Sequence, residues 1–546
     1  MAIWLDRKGS TLALTYNYKI MKAKIVTALL LLTLIMTGCK KFMDINDNPS
    51  YPQDVRAEIL LAPIIFHMAN GYAQDQTIMN KFNQSIMGAS ADDASKIWER
   101  HGFRLQSDVG GVMWRMVYFN HGRNLANMIR DAVENEKYEY AAIGYAVKAW
   151  GYQMLTDYHG PVIMKEALRD QLSFTYDDQK DVYAQVRVWC DSALYYMDQK
   201  SPLDYSANLS SEKGDNLFRG DMGKWRKFVY GIRALQYIHL VNKPDFKSKY
   251  ADSVIYYVDQ SLASNDDDAG VKFSGDKAET SSVVGPLYGV YTSTYYSRAG
   301  QPIVSYLSGG LRGAVTAPSR VASDPRLLKM LNRNLDNVAD TVFSGALPNV
   351  TNSATIIPSI LGKIVGGVYE GKFIFRDKAD FPLMTYAQLQ LIKAEALFIK
   401  GASSEAYQAY LNAIRSHMTF VNKYINTNGE TAITDAQVKA YLTSSEIPQT
   451  SADLMLSDIM GQKYIVQWGW GGLEQWCDLR KYNYDTSIFK QYQPLSGSGL
   501  QYQAYCYRVR PRYNSEYAWN AKELDKWGAL DPYYVTKPTW FVTKDN

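Results

Sequence analysis

Asp191-Ser-Ala-Leu-Tyr-Tyr-Met-Asp-Gln199 returns 61 residues later as Asp252-Ser-Val-Ile-Tyr-Tyr-Val-Asp-Gln260. Each copy lies in an amphipathic stretch. Val182, Val186, Trp189, Ala193, Leu194 and Met197 line the first, and Ala251, Val254, Ile255, Val258 and Leu262 the second, at the spacing of one helix face. Another helix is expected between them, over residues 225–240. Recurring helices of this size bury their apolar faces by stacking on neighbours, as tetratricopeptide-type helix pairs do. Agreement by chance between two amphipathic helices is the alternative. The stacking reading predicts a mostly all-α chain with a tetratricopeptide-like helix-pair scaffold.

The same periodicity predicts helices over residues 54–70, where Pro63 interrupts the pattern, and over 110–130 and 138–158. The last ends at His159-Gly160-Pro161, a stop signal. Together these form an N-terminal helical-pair region, residues 54–264. Residues 265–385 are rich in Ser, Thr, Gly, Asn and Pro and lose the helical period, which predicts a loop-rich insertion with minor strands. A helical pair returns at 386–420, turning at Lys400-Gly401-Ala402. Residues 421–546 are expected to be an irregular, aromatic-rich C-terminal region packed on the scaffold, with some helix over 513–520.

Ahead of the scaffold, Lys22 and Lys24 precede an apolar run that ends in Met36-Thr37-Gly38-Cys39. The run is short for a span of roughly 20 apolar residues. A basic flank, a short apolar core and small residues before a cysteine are the pattern of a lipoprotein signal, with Cys39 as the lipid attachment residue. Residues 1–38 are therefore assigned to a signal segment and 39–53 to a lipidated tether. Met21 stands where such a signal begins, so residues 1–20 are expected to be a gene-start artefact; a long n-region is the alternative. Of 59 basic and 55 acidic side chains, this signal segment holds five and one, which leaves 54 of each. A balanced chain without a basic run gives no case for nucleic acid.

Catalytic motifs are not found: there is no HExxH, GxSxG or Walker loop, and the six histidines are dispersed. A glycosidase-like carboxylate pair is a matter of separation in a cleft, which a sequence does not give. Cys190, Cys477 and Cys506 show no metal-ligand spacing; a Cys477–Cys506 disulfide is one open pairing. No cofactor is expected, apart from a structural calcium ion as an option at Asp266-Asp267-Asp268, which lacks the spacing of a defined calcium loop. The 42 tyrosines and 12 tryptophans are the conspicuous resource. Rings with a polar handle suit ligand platforms as well as cores. Trp98 and Tyr296 fall in loop or helix-edge positions, and Trp468 and Trp470 alternate with glycines that would leave ring faces accessible. These four are the candidate ligand-binding residues.

Several motifs occur in order along nearly the whole chain. They include Phe42-Met-Asp-Ile-Asn-Asp-Asn-Pro49, YAVKAWGYQMLTDYHGPVIMKEA from Tyr145, Tyr176-Asp-Asp-Gln-Lys-Asp-Val-Tyr183, Gly220-Asp-Met-Gly-Lys-Trp-Arg-Lys-Phe228 and Ser323-Asp-Pro-Arg-Leu327. Then follow Phe381-Pro-Leu-Met-Thr-Tyr-Ala-Gln-Leu-Gln-Leu-Ile-Lys-Ala-Glu-Ala396, Glu474-Gln-Trp-Cys-Asp-Leu-Arg480 and Arg512-Tyr-Asn-Ser-Glu516. This series resembles the SusD/RagB family of nutrient-binding outer-membrane lipoproteins. The resemblance implies four helix pairs, a loop-rich ligand-surface insertion at residues 265–385, a lipid-anchored position facing the cell exterior, and a SusC-like, TonB-dependent β-barrel transporter as partner. It implies a non-enzymatic role: capture of a nutrient, most often an oligosaccharide, for import. Lys40 and Lys41 depart from the acidic residues that many surface-exported members carry after the lipid cysteine. Peptide capture with the same transporter, a surface glycoside hydrolase and a ligand-free scaffold are the other readings. Glu395, inside an apolar helix, needs a cationic partner, for which Arg480 and Arg512 are the candidates. Glu395, Asp478, Arg480 and Arg512 are accordingly assigned to structure.

Overall fold

Eight helices form four antiparallel pairs: α1 (Ala57–Phe82) with α2 (Gly122–Glu134), α3 (Tyr138–His159) with α4 (Gln179–Met197), α5 (Met222–His239) with α6 (Ala251–Gln260), and α7 (Tyr386–Lys400) with α8 (Ser403–Asn422). The computed structural model describes Met21 and residues 55–88, 93–104, 106–291, 297–315, 324–334, 342–353, 356–362, 364–365, 368–425 and 430–545. Cys39 and Tyr296 lie outside these residues. Among the described residues no helix is long and apolar enough to cross a membrane.

Local chemistry fixes the helix ends. Asp178 and Asp221 cap α4 and α5 by accepting from Lys180 and Lys224 backbone N–H groups, and Thr385 caps α7 through Gln388. Gly401 closes α7 with φ of 95°, a left-handed conformation that costs other residues more.

The repeated segment now has a structural meaning. Tyr196 of α4 is stacked between Tyr138 and Tyr145 of its partner α3, at centroid distances of 6.0 and 5.6 Å. Tyr257 of α6 is stacked in the same way between Tyr230 and Tyr237 of α5, at 6.2 and 5.6 Å. The aspartates point onward to the next pair. Asp191 and Asp198 meet Arg233 and Arg226 on α5, while Asp252 and Asp259 meet Lys400 and Lys393 on α7. In both cases two acids a heptad apart grip two bases a heptad apart on an antiparallel helix. The tyrosine therefore closes a pair, and the aspartates set its register on the next.

Short strands follow the first helix and run through the loop-rich region: β1 (Ile86–Met87), then β2 (Ala269–Val271), β3 (Arg298–Ala299), β4 (Ile364–Val365), β5 (Val368–Tyr369) and β6 (Phe381–Met384). They pair antiparallel as β1–β3, β2–β6 and β4–β5. The β2–β6 ladder joins the two ends of this region directly ahead of α7.

Two expectations are corrected. The first helix continues through Pro63 to Phe82. Its second half buries Asp75, Gln76, Asn80 and Lys81, which broke the apolar pattern. Gln76 and Asn80 bond Gly469 O and the Tyr291 hydroxyl at 3.0 and 2.8 Å. Residues 421–546 are also not uniformly irregular, because α9 (Leu456–Gln467) and α10 (Gly472–Lys481) lie there. Every residue of both helices except Leu456 is buried. A helix covered all round has no polar face to give it a period.

Glu395 on α7 accepts from Lys463 of α9 at 2.9 Å, Lys481 of α10 at 2.8 Å and the Tyr482 hydroxyl at 2.7 Å. Asp478 takes both lysines as well, at 2.6 and 2.8 Å. The partners of Glu395 are thus lysines, not Arg480 or Arg512. These four buried charges balance two against two. Burial opposes the charge on Lys481, but Asp478 and Glu395 outweigh it and hold the ammonium well above its ordinary pKa. Arg480, fully buried, sits 3.8 Å from the Trp476 ring centroid and donates to Asp157 O and Tyr507 O at 2.7 and 2.9 Å.

Three outcomes are expected from chemical denaturation. Tyr196→Ala and Tyr257→Ala each cost about 2 kcal/mol and add in the double variant, because they share no partner. Asp198→Asn and Asp259→Asn, at exposed ion pairs, cost less than about 1 kcal/mol each. Glu395→Gln leaves two buried ammonium groups facing one carboxylate and costs about 3–5 kcal/mol.

Candidate ligand-binding site

Trp98 stands on the short helix Asp93–Glu99. Two residues of that helix turn inward and hold it. Glu99, with no exposed surface, accepts from Lys96 Nζ at 2.9 Å, Gly88 N–H at 3.1 Å and Asn349 N–H at 2.8 Å. Lys96 also donates to Val350 O at 2.6 Å. The helix is thereby fastened to Gly88 and to the Asn349–Val350 segment, and the Trp98 indole is left half-buried between two anchors.

The indole lines a depression of about 120 Å³ with Phe103, Arg104, Ser107, Val109 and Arg510. Arg510 lies 5.7 Å from the ring centroids of both Phe103 and Tyr513 and donates to Ser107 O. Burial draws its pKa below the usual guanidinium range, opposed by Tyr517. An indole beside a fixed guanidinium offers an apolar plane and directed N–H donors, the two elements that a polar ring-shaped ligand needs.

A wider groove of about 590 Å³ opens at the β2–β6 ladder. Phe66 and Phe273, edge to face at 6.4 Å, form part of its wall. Arg219, Lys272 and Lys378 face Glu212, Asp276 and Asp380 around it. Lys272 and Asp380 pair at 3.3 Å, so both signs of charge are presented.

Trp468 and Trp470 are not at a surface. They are 1% and 2% exposed, and their indole N–H groups donate to Ser85 O and Val466 O at 3.0 and 2.9 Å. Phe373 stacks on Trp468 at 6.3 Å, and Phe375 meets it edge-on at 5.4 Å. The intervening glycine accounts for the misreading. At Gly469, φ is +88° and a Cβ would lie 2.9 Å from Phe375, so this glycine admits core packing and does not uncover the rings. Arg512 pairs with Asp108 at 2.5 Å, outside the Glu395 network. Asp267 meets Lys227 at 2.8 Å and Asp268 meets Lys423 at 3.2 Å, so both carboxylates face ammonium groups. Cys190, Cys477 and Cys506 are free and buried, so Cys477 and Cys506 are not joined. Phe103 and Arg510 were not singled out from the sequence; the alternation Arg508-Val-Arg510-Pro-Arg512 is the signal that marks the latter.

Trp468→Ala removes a packed core ring and is expected to cost about 3–5 kcal/mol in denaturant unfolding. Trp98→Ala is expected to leave the unfolding midpoint nearly unchanged.

Residues 49–491 match the family model described as SusD-like, starch-binding associating with outer membrane. A SusD/RagB family protein from Bacteroides thetaiotaomicron aligns with 90% of this chain and 100% of its own, at 20% identity and a TM-score of 0.64. A chitin-binding protein aligns with 89% and 98% of the two chains, at 18% identity and a TM-score of 0.67. A SusD homolog from Bacteroides fragilis covers 90% and 100%, at 15% identity and 0.65. At these identities the likeness is one of fold. No curated protein matches the chain.

Proposed function

The chain belongs to the SusD-like family of starch-binding, outer-membrane-associated proteins, and on that premise we propose that it captures an oligosaccharide without cleaving it and passes it to a SusC-like, TonB-dependent transporter. Trp98 carries the reading. Its helix is fixed by the buried Lys96–Glu99 pair, so its ring waits in place beside Phe103 and Arg510. A pre-positioned plane spares a flexible ligand part of the ordering cost of binding. Lipidation at Cys39 would hold this surface at the outer membrane, facing the exterior, where a large nutrient is first met.

The second reading is peptide capture with the same partner. The wide groove favours it, since Arg219, Lys272 and Lys378 opposite Glu212, Asp276 and Asp380 suit a ligand with both charges better than a neutral glycan.

Calorimetric titration of the soluble chain beginning after Cys39 with starch-type and chitin-type oligosaccharides, and with peptides, separates these readings. Glycan binding with unchanged ligand mass, weakened about tenfold or more in Trp98→Ala, is the expected result. Peptide-only binding, insensitive to Trp98, moves the assignment to the groove. A shortened glycan in the mass spectrum establishes hydrolysis instead.

A further inference from the structure

Asp157, His239, Glu474 and Cys477 converge in the interior from α3, α5 and α10, and one ligand atom from each lies within 4.8 Å of the others. All four are buried. Hydrogen bonding fixes the roles of the two imidazole nitrogens. The Tyr183 hydroxyl donates to Asp157 Oδ1 at 2.5 Å and lies 3.1 Å from His239 Nδ1. With its proton spent on Asp157, that hydroxyl oxygen can only accept from the imidazole, so Nδ1 carries a hydrogen. Nε2 then faces Glu474 Oε2 at 3.0 Å. Two lone pairs do not meet at that distance in a dry interior unless a positive species lies between them.

A proton would satisfy this one contact. It leaves Glu474 Oε1 buried with no hydrogen-bond partner, one helical turn from the Cys477 thiol. Burial pushes the Cys477 thiol up, and Arg480 Nη2, 3.0 Å from Sγ, opposes that shift together with His239, so the thiolate needs a cation to hold it. We propose that His239 Nε2, the Glu474 carboxylate and Cys477 Sγ hold one divalent transition-metal ion of the zinc class, with Tyr183 and Asp157 orienting the imidazole through Nδ1. A nitrogen, an oxygen and a sulfur donor are the set that zinc accepts, and a hydrogen-bonded Nδ1 is the usual support of a histidine that binds through its other nitrogen. On binding, the Cys477 S–H bond breaks as the S–metal bond forms, the proton shared by His239 Nε2 and Glu474 is displaced as these atoms take the ion, and both protons leave to solvent. The ion and Arg480 together then carry three positive charges, against the three negative charges of Asp157, Glu474 and the thiolate. The ion would tie the end of α5 to α10, so its role is structural and separate from ligand capture.

The mature chain, expressed without a histidine tag in zinc-supplemented and in cobalt-supplemented medium, is assayed by plasma mass spectrometry and absorption spectroscopy. About one zinc ion per chain is expected, together with a thiolate-to-cobalt charge-transfer band in the cobalt preparation. Cys477→Ser loses that band and retains at least about tenfold less zinc. Should Cys477→Ser fail to fold, the band in the unaltered chain decides. A chain that carries neither metal and shows no band overturns the proposal and leaves a proton between His239 and Glu474.

Discussion

Everything around the centre of this molecule is arranged about four charges that no water reaches. Glu395, Lys463, Asp478 and Lys481 come from three helices, and each ion is held by two of opposite sign. Taking such charges out of water is expensive, and apolar residues of the same shape could fill the space at least as favourably. What the ring supplies is an address. Of the ways in which α9 and α10 could lie against α7, the one that lets every ion find its partners is strongly preferred to those that strand a charge. Arg480, on the same helix as Asp478 and Lys481, extends the fixing to the end of α3 and to Tyr507.

Around that centre, the helix pairs were legible because each keeps one wet face. The repeated Asp-Ser-x-x-Tyr-Tyr-x-Asp-Gln segment signalled stacking, although its division of labour between tyrosine and aspartate needed coordinates. Helices α9 and α10 were hidden for the opposite reason: buried all round, they carry Lys463, Glu474 and Arg480 in positions where a surface would usually be read. Glu395 was recognisable as a buried carboxylate in need of a cation. The choice of Lys463 and Lys481 over arginine depends on helix packing, which a linear sequence does not display.

The candidate site was legible in kind rather than in place. Aromatic residues beside loops pointed to Trp98, whose half-buried ring lines a depression, and equally to Trp468 and Trp470, whose rings are buried, the first against Phe373 and Phe375. Glycine beside tryptophan signals close approach without saying which side is approached. The anchoring of Trp98 through Lys96 and Glu99 depends on Gly88, Asn349 and Val350. Two of these lie some 250 residues away in sequence, beyond the reach of any local pattern.

The β2–β6 ladder has a consequence for how such a protein changes over generations. Between Val271 and Phe381 the chain leaves the scaffold and comes back to the point of departure, and the Asp252–Lys400 and Asp259–Lys393 contacts carry the stacking register across the excursion. Closing a loop grows dearer only slowly with length, by about 0.6 kcal/mol for each doubling. A surface mounted this way behaves like a cassette: its residues can be rewritten, lengthened or exchanged while the helices beneath keep the same step.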